Sequence, residues 1–202
     1  MKRAMILLIL FCVVASAQKD IFTDPRDKKK YRTVKINKQT WLGENLNFEA
    51  RDSKCYGNKP VNCERYGRLY DWYSAKKVCP KGWHLPTNAE WDNLVLYAEG
   101  EESSESPYDS ETAGKLLKAK GGWNDYKGES GNGKDKYGFT ALPGGYGNGD
   151  GVLSDLGNDG FWWSSNGDDS HAFGRNMGHD GEFVYYTYYV KSYLFSVRCV
   201  KN

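Results

Sequence analysis

Carboxylates and histidines in the C-terminal half are the residues of this sequence with the clearest catalytic potential. Five aspartates lie in its turn-rich part: Asp150, Asp155, Asp159, Asp168 and Asp169. Glycoside hydrolysis requires two carboxyl groups across one bond, so a pair drawn from this set would indicate a polysaccharide-active enzyme. His84 lies between apolar neighbours, which favours a buried, hydrogen-bonded role over catalysis. The sequence contains no serine nucleophile elbow and no phosphate-binding glycine motif, so no motif supports an enzyme.

Paired aromatic residues in the same half favour ligand binding. Trp162-Trp163, Tyr185-Tyr186 and Tyr188-Tyr189 lie in short runs flanked by glycine, aspartate and asparagine. Because neighbouring residues of a strand point to opposite sides, each pair is expected to place one ring inward and one outward. An outward ring suits the C–H face of a sugar or the apolar side of a peptide, although cores also take up such rings. The residues predicted to contact a ligand are Trp163, Arg175, His179, Asp180, Tyr186 and Tyr188.

The acidic loops at 148–150, 155–159 and 168–169 contain oxygen ligands of the kind that calcium prefers. None of them matches the D-x-[DN]-x-[DN]-G pattern, and turns favour the same residues. His171 and His179 lack a third partner at zinc spacing. The sequence therefore predicts no metal ligand and no cofactor, with calcium as an alternative that no motif supports.

The N-terminus has the three-part pattern of a secretory signal peptide over residues 1–17. Lys2-Arg3 is followed by an apolar stretch from residue 4 to 14 and by the small residues Ala15-Ser16-Ala17. The apolar stretch is shorter than the ~20 residues of a transmembrane helix, and an ordinary N-terminal helix is the alternative. We therefore expect a secreted or cell-surface protein with no transmembrane segment in its mature chain.

Charge and composition exclude other classes of partner. Cleavage after residue 17 would leave 26 basic and 26 acidic residues, and so no positive field to neutralise nucleic-acid phosphates. The lysines at 28–30 are too few for a polybasic membrane anchor. The remaining length suits one domain, and the 23 glycines of the chain predict many turns.

Four cysteines remain after such cleavage, an even number that predicts disulfides in an exported chain. Three pairings are possible. Cys55 and Cys63 flank a short turn, which favours a local bridge and leaves Cys79 to pair with Cys199. A zinc site is the alternative, but paired C-x-x-C spacings do not occur.

The early part of the chain contains the elements that must position these residues. Alternating apolar and polar residues predict a β-hairpin from strands 31–36 and 39–42. A helix is expected to begin near Ser74. Thr87 and Glu90 have capping-box spacing, and the helix that follows has one apolar stripe: Trp91, Leu94, Val95 and Ala98. A further short helix is predicted at 113–118.

Short apolar runs between glycine-rich turns replace helix signals beyond Gly121. They predict strands at 139–142, 161–165, 171–175, 183–189 and 195–200. The expected architecture is α+β, with a flexible leader at 18–30, one domain at 31–202 and an exposed acidic insertion at 99–110.

Ordered motifs along the chain resemble the Fibrobacter succinogenes major paralogous domain of exported bacterial proteins. They include YRTVKI at 31–36, QTWLGENL at 39–46, AKKVCPKGWHLP at 75–86, YGFTALPGG at 137–145, FWWSS at 161–165 and FSVRCVK at 195–201. That family is similar to the C-type-lectin-like fold, which formylglycine-generating enzymes share. The resemblance implies two or three short helices, short antiparallel strands and long glycine-rich loops, with Cys79–Cys199 as the long-range bridge.

The departures from those relatives limit what function the resemblance implies. The sugar-binding tripeptides Glu-Pro-Asn and Gln-Pro-Asp are absent, Trp123-Asn124-Asp125 lies too early for the lectin calcium motif, and no spare cysteine pair remains for oxygen-dependent catalysis. We therefore expect a non-catalytic recognition domain that binds an extracellular glycan or surface protein through residues 144–190. The alternatives are a polysaccharide-active enzyme with a carboxylate pair and a structural adhesion protein that contacts its own kind.

Overall fold

The computed structural model describes residues 20–100 and 110–202, which form a mixed α+β fold. Its α-helices are α1 (Pro60–Tyr66), α2 (Trp72–Val78), α3 (Asn88–Glu99) and α4 (Ala113–Leu117). Its strands are β1 (Ile21–Thr23), β2 (Lys30–Ile36), β3 (Gln39–Leu42), β4 (Leu69–Tyr70), β5 (Trp83–His84), β6 (Gly144–Gly147), β7 (Leu153–Leu156), β8 (Asp159–Gly167), β9 (His171–Gly178), β10 (Tyr185–Val190), β11 (Phe195–Ser196) and β12 (Val200–Lys201).

Two sheets bring the ends of the described chain together. The first has the strand order β1-β2-β3-β12-β5, so the closing strand β12 lies between the predicted hairpin and β5. The second has the order β10-β9-β8-β11-β4, with β6 beside β8 and β7 beside β6. The hairpin β2–β3 is confirmed, with Val34 opposite Trp41. Most pairings are antiparallel, whereas β11 and β6 run parallel to β8.

Helix α3 forms as the sequence predicts. The Thr87 hydroxyl accepts a 3.2 Å hydrogen bond from the Glu90 amide, and the Thr87 amide donates over 2.8 Å to the Glu90 carboxylate. Both bonds satisfy amides that the first turn leaves without helical partners. The helix ends at Gly100, whose φ of 82° suits glycine. Its apolar stripe is buried against the second sheet, so α3 covers one part of that sheet's face.

Strand β8 carries one core on each of its faces. Trp162 lies with Trp91 in one core, and its indole nitrogen donates over 2.8 Å to Asn45. Trp163 lies in the other core, 4.2 Å from Phe195 between ring centres, and its indole nitrogen donates over 2.8 Å to the Tyr70 carbonyl. Both indoles are fully buried. The prediction of one outward ring in this pair is therefore wrong, because both faces of β8 are covered.

Both expected disulfides are present. Cys55–Cys63 closes a short segment next to α1, and Cys79–Cys199 spans 120 residues. Cys79 directly follows α2 and Cys199 directly precedes β12. The second bridge thus joins an early helix to the closing strand of the first sheet.

The segment 18–30 was expected to be a flexible leader, but from Ile21 onward it packs on the domain. Strand β1 pairs with β2. Asp24 is fully buried and accepts two hydrogen bonds from the Arg26 guanidinium, which lies 3.7 Å above the Phe48 ring. The Arg26 contacts hold the pKa of Asp24 below its usual value despite burial. The ion pair between Asp24 and Arg26 therefore orders this segment. The pattern of apolar residues in the sequence does not predict such a pair.

Other differences from the predicted elements also have local causes. The predicted strand 139–142 pairs only as one bridge at Ala141, because Thr140 has a φ of 52° that interrupts an extended backbone. Helix α1, with Pro60 at its start, was not predicted because it lacks an apolar stripe. The predicted strand 195–200 forms only at its two ends, and the described residues contain four α-helices where two or three were expected. Most of the expected acidic insertion, residues 101–109, lies outside the described residues.

Candidate functional site

Four aromatic side chains form a continuous row across β9 and β10, which we call the aromatic ladder: His171, Phe173, Tyr186 and Tyr188. The register places Tyr188 opposite Phe173, so these side chains share one face. Phe173 lies 4.9 Å from Tyr186 and 4.6 Å from Tyr188 between ring centres, and the His171 ring stacks on Tyr188 at 4.9 Å. Cross-strand contact thus aligns the four rings.

The ladder is the uncovered continuation of the face that α3 buries. At its inner end the Asn88 side chain, in the first turn of α3, donates over 3.1 Å to the Tyr186 hydroxyl. Towards its other end, where His171 stacks on Tyr188, 44% of Tyr188 is exposed. Strand β10 is the last strand in the order of this sheet, so within the described residues no further strand lies beyond Tyr188. The start of α3 at Asn88 therefore marks the boundary between the covered part of this face and the ladder.

Asp168 adds a polar rim to the ladder. Its carboxylate accepts hydrogen bonds from the Tyr188 hydroxyl and from the amides of Ser170 and His171. These bonds hold the pKa of Asp168 well below its usual value, the Tyr188 bond having the largest effect. The same contact raises the pKa of Tyr188 to about 12. The ladder thus presents a neutral phenol next to an ionised carboxylate over the physiological pH range.

Arg175 lies on the same face of the sheet as the ladder, opposite Tyr186 on the neighbouring strand. The residue is 1% exposed, forms an ion pair with Asp92 of α3, and places its guanidinium 4.4 Å above the Tyr186 ring. Burial raises the pKa of Asp92, and the Arg175 charge opposes that change. Arg175 therefore orients Tyr186 and leaves little surface for a ligand. Trp163, also predicted as a contact, lies in the core on the opposite face of the sheet.

His179 and Asp180 lie away from the ladder, beyond the far end of β9. They line a cavity of about 90 Å³ with Tyr126, whose ring meets His179 edge-on at 5.3 Å. Lys118 also lines it and donates to the carbonyls of Gly178 and Gly181 over 2.9 and 2.8 Å. Burial lowers the pKa of Lys118 to about 8. Of the six predicted contact residues, only Arg175, Tyr186 and Tyr188 come together.

Comparison with known protein families gives a match that covers most of the chain. A model of the Fibrobacter succinogenes major domain matches residues 34–201. The chain belongs to that family. The match begins within β2 and ends in β12, so it includes the ladder and both disulfides and leaves β1 outside. No curated protein and no solved structure matches the chain.

In this Fibrobacter succinogenes major domain, Asp159 and Asp180 converge at Gly178. A Cβ atom on Gly178 would lie 3.0 Å from one Asp159 oxygen and 2.4 Å from one Asp180 oxygen. Burial raises the pKa of Asp159 to about 6, with smaller contributions from the charges of Asp155 and Asp180. Of the five aspartates considered for catalysis, Asp155 and Asp159 contribute to this cluster, and its third member is Asp180.

The raised pKa of Asp159 predicts a specific pH dependence of stability. Its carboxyl binds a proton more tightly in the folded than in the unfolded state, so stability decreases as the pH rises from about 4 to 6. Asp159→Asn removes the ionised form, and we expect it to stabilise the protein by about 1 kcal/mol at pH 7, with partial solvent screening limiting the gain. The gain should shrink towards pH 4. Urea unfolding at several pH values measures it.

The control for that experiment is Asp169→Asn, at a position also considered for the carboxylate pair. Asp169 is exposed, so its replacement should leave the pH profile of unfolding unchanged. A profile of Asp159→Asn that parallels the original protein between pH 4 and 7 would contradict the assignment of a raised pKa to this group.

A second, larger cavity was not predicted from the sequence. It has a volume of about 810 Å³ and is lined by segments 48–54, 71–78 and 148–151 together with Arg26. Of the segments that form its walls, the sequence analysis had named only the acidic loop at 148–150, for its oxygen ligands. The other walls come from distant parts of the chain whose residues have no common motif.

Among residues 20–100 and 110–202, no group of three or more histidine, cysteine, aspartate or glutamate side chains is arranged to hold a metal ion. In the same ranges, no helix has the length and apolar character needed to cross a membrane.

Proposed function

We propose that this protein is an exported, non-catalytic recognition domain that binds an extracellular glycan through the aromatic ladder. The observation that carries the proposal is the row of four contacting rings, in which Tyr188, between Phe173 and His171, is exposed. A large contiguous apolar patch on the surface of a monomeric protein often marks a binding site. The core accounts for Trp162 and Trp163, but no core contact explains the exposed face of Tyr188.

Glycan binding fits the chemistry of the ladder better than peptide binding. Sugar rings offer C–H faces that pack on aromatic rings and hydroxyls that bond to polar groups at the edge. The Asp168 carboxylate and the Asn88 amide lie at the two ends of the ladder and can accept from and donate to such hydroxyls. A surface protein remains the alternative partner, and a second copy of the chain would make the protein a structural adhesin.

Export and architecture belong to the same proposal. Two disulfides suit an oxidising compartment outside the cytoplasm, and residues 1–17 have the composition of a signal peptide. A C-type-lectin-like architecture is supported by the adjacency of β3 and β12 and by the bridge from the end of α2 to Cys199. We infer that the glycine-rich segment between them presents the ladder on such a scaffold.

The ladder is tested by replacing its exposed ring. Tyr188→Ala removes the stacking surface, and we expect at least a tenfold loss of affinity for glycans that the purified protein binds on an array. Tyr97→Ala is the matched control, because 41% of Tyr97 is exposed but it packs on Tyr137 away from the ladder.

The other outcomes of that experiment would favour a different binding site or a different function. Loss of binding with Tyr97→Ala and retention with Tyr188→Ala would move the site away from the ladder. Binding to no glycan, together with concentration-dependent sedimentation, would favour the structural adhesin. Release of shorter products from a bound polysaccharide, abolished by Asp159→Asn, would favour the carboxylate enzyme.

A further inference from the structure

The side chain of Lys191 is buried against the turn that joins β8 to β9. Lys191 directly follows β10 and is 6% exposed. Its ammonium donates to the carbonyl of Asp168 and, over 3.4 Å, to that of Asp169, while its amide donates over 3.3 Å to the Ser170 carbonyl. One residue thus bonds to all three carbonyls of the turn 168–170.

Helix α2 contributes two rings to the surroundings of this ammonium. The Lys191 nitrogen lies 4.1 Å from the centre of the Trp72 ring and 5.5 Å from that of Tyr73. The Trp72 amide donates over 3.0 Å to the Lys191 carbonyl, and its indole nitrogen donates over 2.9 Å to the Ser164 carbonyl of β8. The position of Lys191 is therefore fixed by the first turn of α2.

The turn 168–170 needs support from outside its own hairpin, because the strand pairing next to it is irregular. The register of β8 against β9 shifts between Trp163 and Gly167, and Gly167 opposite Ala172 is the last pair before the turn. Such an irregularity disrupts the regular ladder of hydrogen bonds that would otherwise define the turn. The bonds from Lys191 therefore supply order that strand pairing does not.

The same turn carries the polar rim of the ladder. The Asp168 carboxylate accepts from the amides of Ser170 and His171 over 2.9 and 2.8 Å and from the Tyr188 hydroxyl. Among the described residues, the Lys191 ammonium contacts this turn and the rings of α2 but no ring of the ladder. An effect of Lys191 on the ladder therefore passes through the turn.

We propose that Lys191 is a positioning residue of the ladder, which holds the turn 168–170 so that the Asp168 carboxylate keeps its bond to the Tyr188 hydroxyl. The inference rests on the proposed function, because its effect on affinity requires that a glycan binds at the ladder. A rim that is ordered before binding costs less conformational entropy on binding. Without the ammonium, the carbonyls of the turn lose their donor and the turn samples other conformations.

The effect on the turn is tested by hydrogen exchange of single amides in the full chain. Lys191→Met keeps the length of the side chain and its apolar contact with α2 but removes the donor. We expect the amides of Ser170 and His171 to exchange about tenfold faster, whereas the Leu42 amide, which donates to the Cys199 carbonyl, keeps its rate. Lys191→Arg keeps a charged donor and should restore slow exchange.

Two results of the exchange experiment would overturn the proposal. Unchanged exchange at Ser170 and His171 in Lys191→Met would show that the turn is ordered without the ammonium. An equal acceleration at Ser170, His171 and Leu42 would show a general loss of stability instead of a local effect.

The effect on binding is tested in two backgrounds. Lys191→Met alone should weaken glycan binding by about fivefold, whereas in the Asp168→Asn background it should have no further effect, because the side chain through which it acts is already changed. A loss of the same size in both backgrounds would contradict the positioning role. Lys76→Met is the matched control: Lys76 also lies over the Trp72 ring, at 5.2 Å, but donates over 3.2 Å to the Ser165 carbonyl, outside the turn. Its replacement should change neither exchange nor affinity.

The proposed function can fail independently of this inference. If the protein binds no glycan on an array, the ladder proposal fails, and hydrogen exchange at Ser170 and His171 still decides whether Lys191 orders the turn. If Tyr188→Ala abolishes glycan binding but Lys191→Met leaves the affinity unchanged, the ladder proposal stands and the positioning role fails. Should Lys191→Met not fold, Lys191→Gln replaces it in both experiments with the same expected directions.

Discussion

Replacing both Cys79 and Cys199 by alanine is expected to lower the free energy of unfolding by about 5 kcal/mol. The bridge closes a loop of 120 residues, and its removal returns that loop's conformational freedom to the unfolded chain. This is a large fraction of the total stability of an ordinary domain, about 5–15 kcal/mol. Urea unfolding of the oxidised protein and of the double variant, with the midpoint and the slope fitted separately for each, measures the difference in free energy.

The second bridge provides the control within the same molecule. Cys55 and Cys63 are only eight residues apart, so the same entropic argument expects about 2.5 kcal/mol for their double alanine variant. A loss from the short bridge that equals or exceeds the loss from the long one would contradict the entropic account. Neither bridge contacts the ladder, so glycan binding should survive both replacements under conditions where the variants remain folded.

The parts of the fold that could be predicted are those in which local sequence and tertiary contacts agree. The capping box at Thr87 and Glu90 and the apolar stripe behind it define α3 without reference to any other element. The hairpin β2–β3 and the local disulfide are equally local. The long bridge followed by elimination once the short one was assigned. Short-range patterns were thus sufficient for α3, the hairpin and the disulfides, but not for the strand order of the sheets.

The candidate site could be predicted only in part, because exposure depends on what covers a strand. Trp162-Trp163 and Tyr188-Tyr189 have the same alternation, yet both tryptophans are buried and Tyr188 is exposed. The difference is position: β8 is central in its sheet, whereas β10 is last in the strand order. Strand order is set by contacts between distant segments, and a single sequence does not reveal it. The larger cavity beside α2 could not be predicted for the same reason, because its walls come from distant segments of the chain.

Arg198 explains how the closing segment is held between the two sheets. Its guanidinium is fully buried and donates to the Asn45 side chain at 2.7 Å and to the carbonyls of Leu42 and Phe139. Burial lowers its pKa to about 9, so the group remains charged at neutral pH. No carboxylate contacts it among the described residues, and carbonyl and amide oxygens alone solvate the charge. One side chain thus connects the end of β3, the irregular segment at 139 and the residues before β12.

Arg198→Met is therefore expected to cost about 3–5 kcal/mol of stability. Methionine fills similar space but leaves buried carbonyl oxygens without donors, and each such loss costs about 1–3 kcal/mol. Arg51→Met is the control: Arg51 is exposed and lies 3.8 Å from the exposed Asp52, and its loss should cost about 1 kcal/mol or less. Arg198→Lys keeps the charge with fewer donors and should lie between them. Equal unfolding midpoints for Arg198→Met and Arg51→Met would show that the carbonyls find other donors, and that the closing segment is held by the Cys79–Cys199 bridge and apolar packing alone.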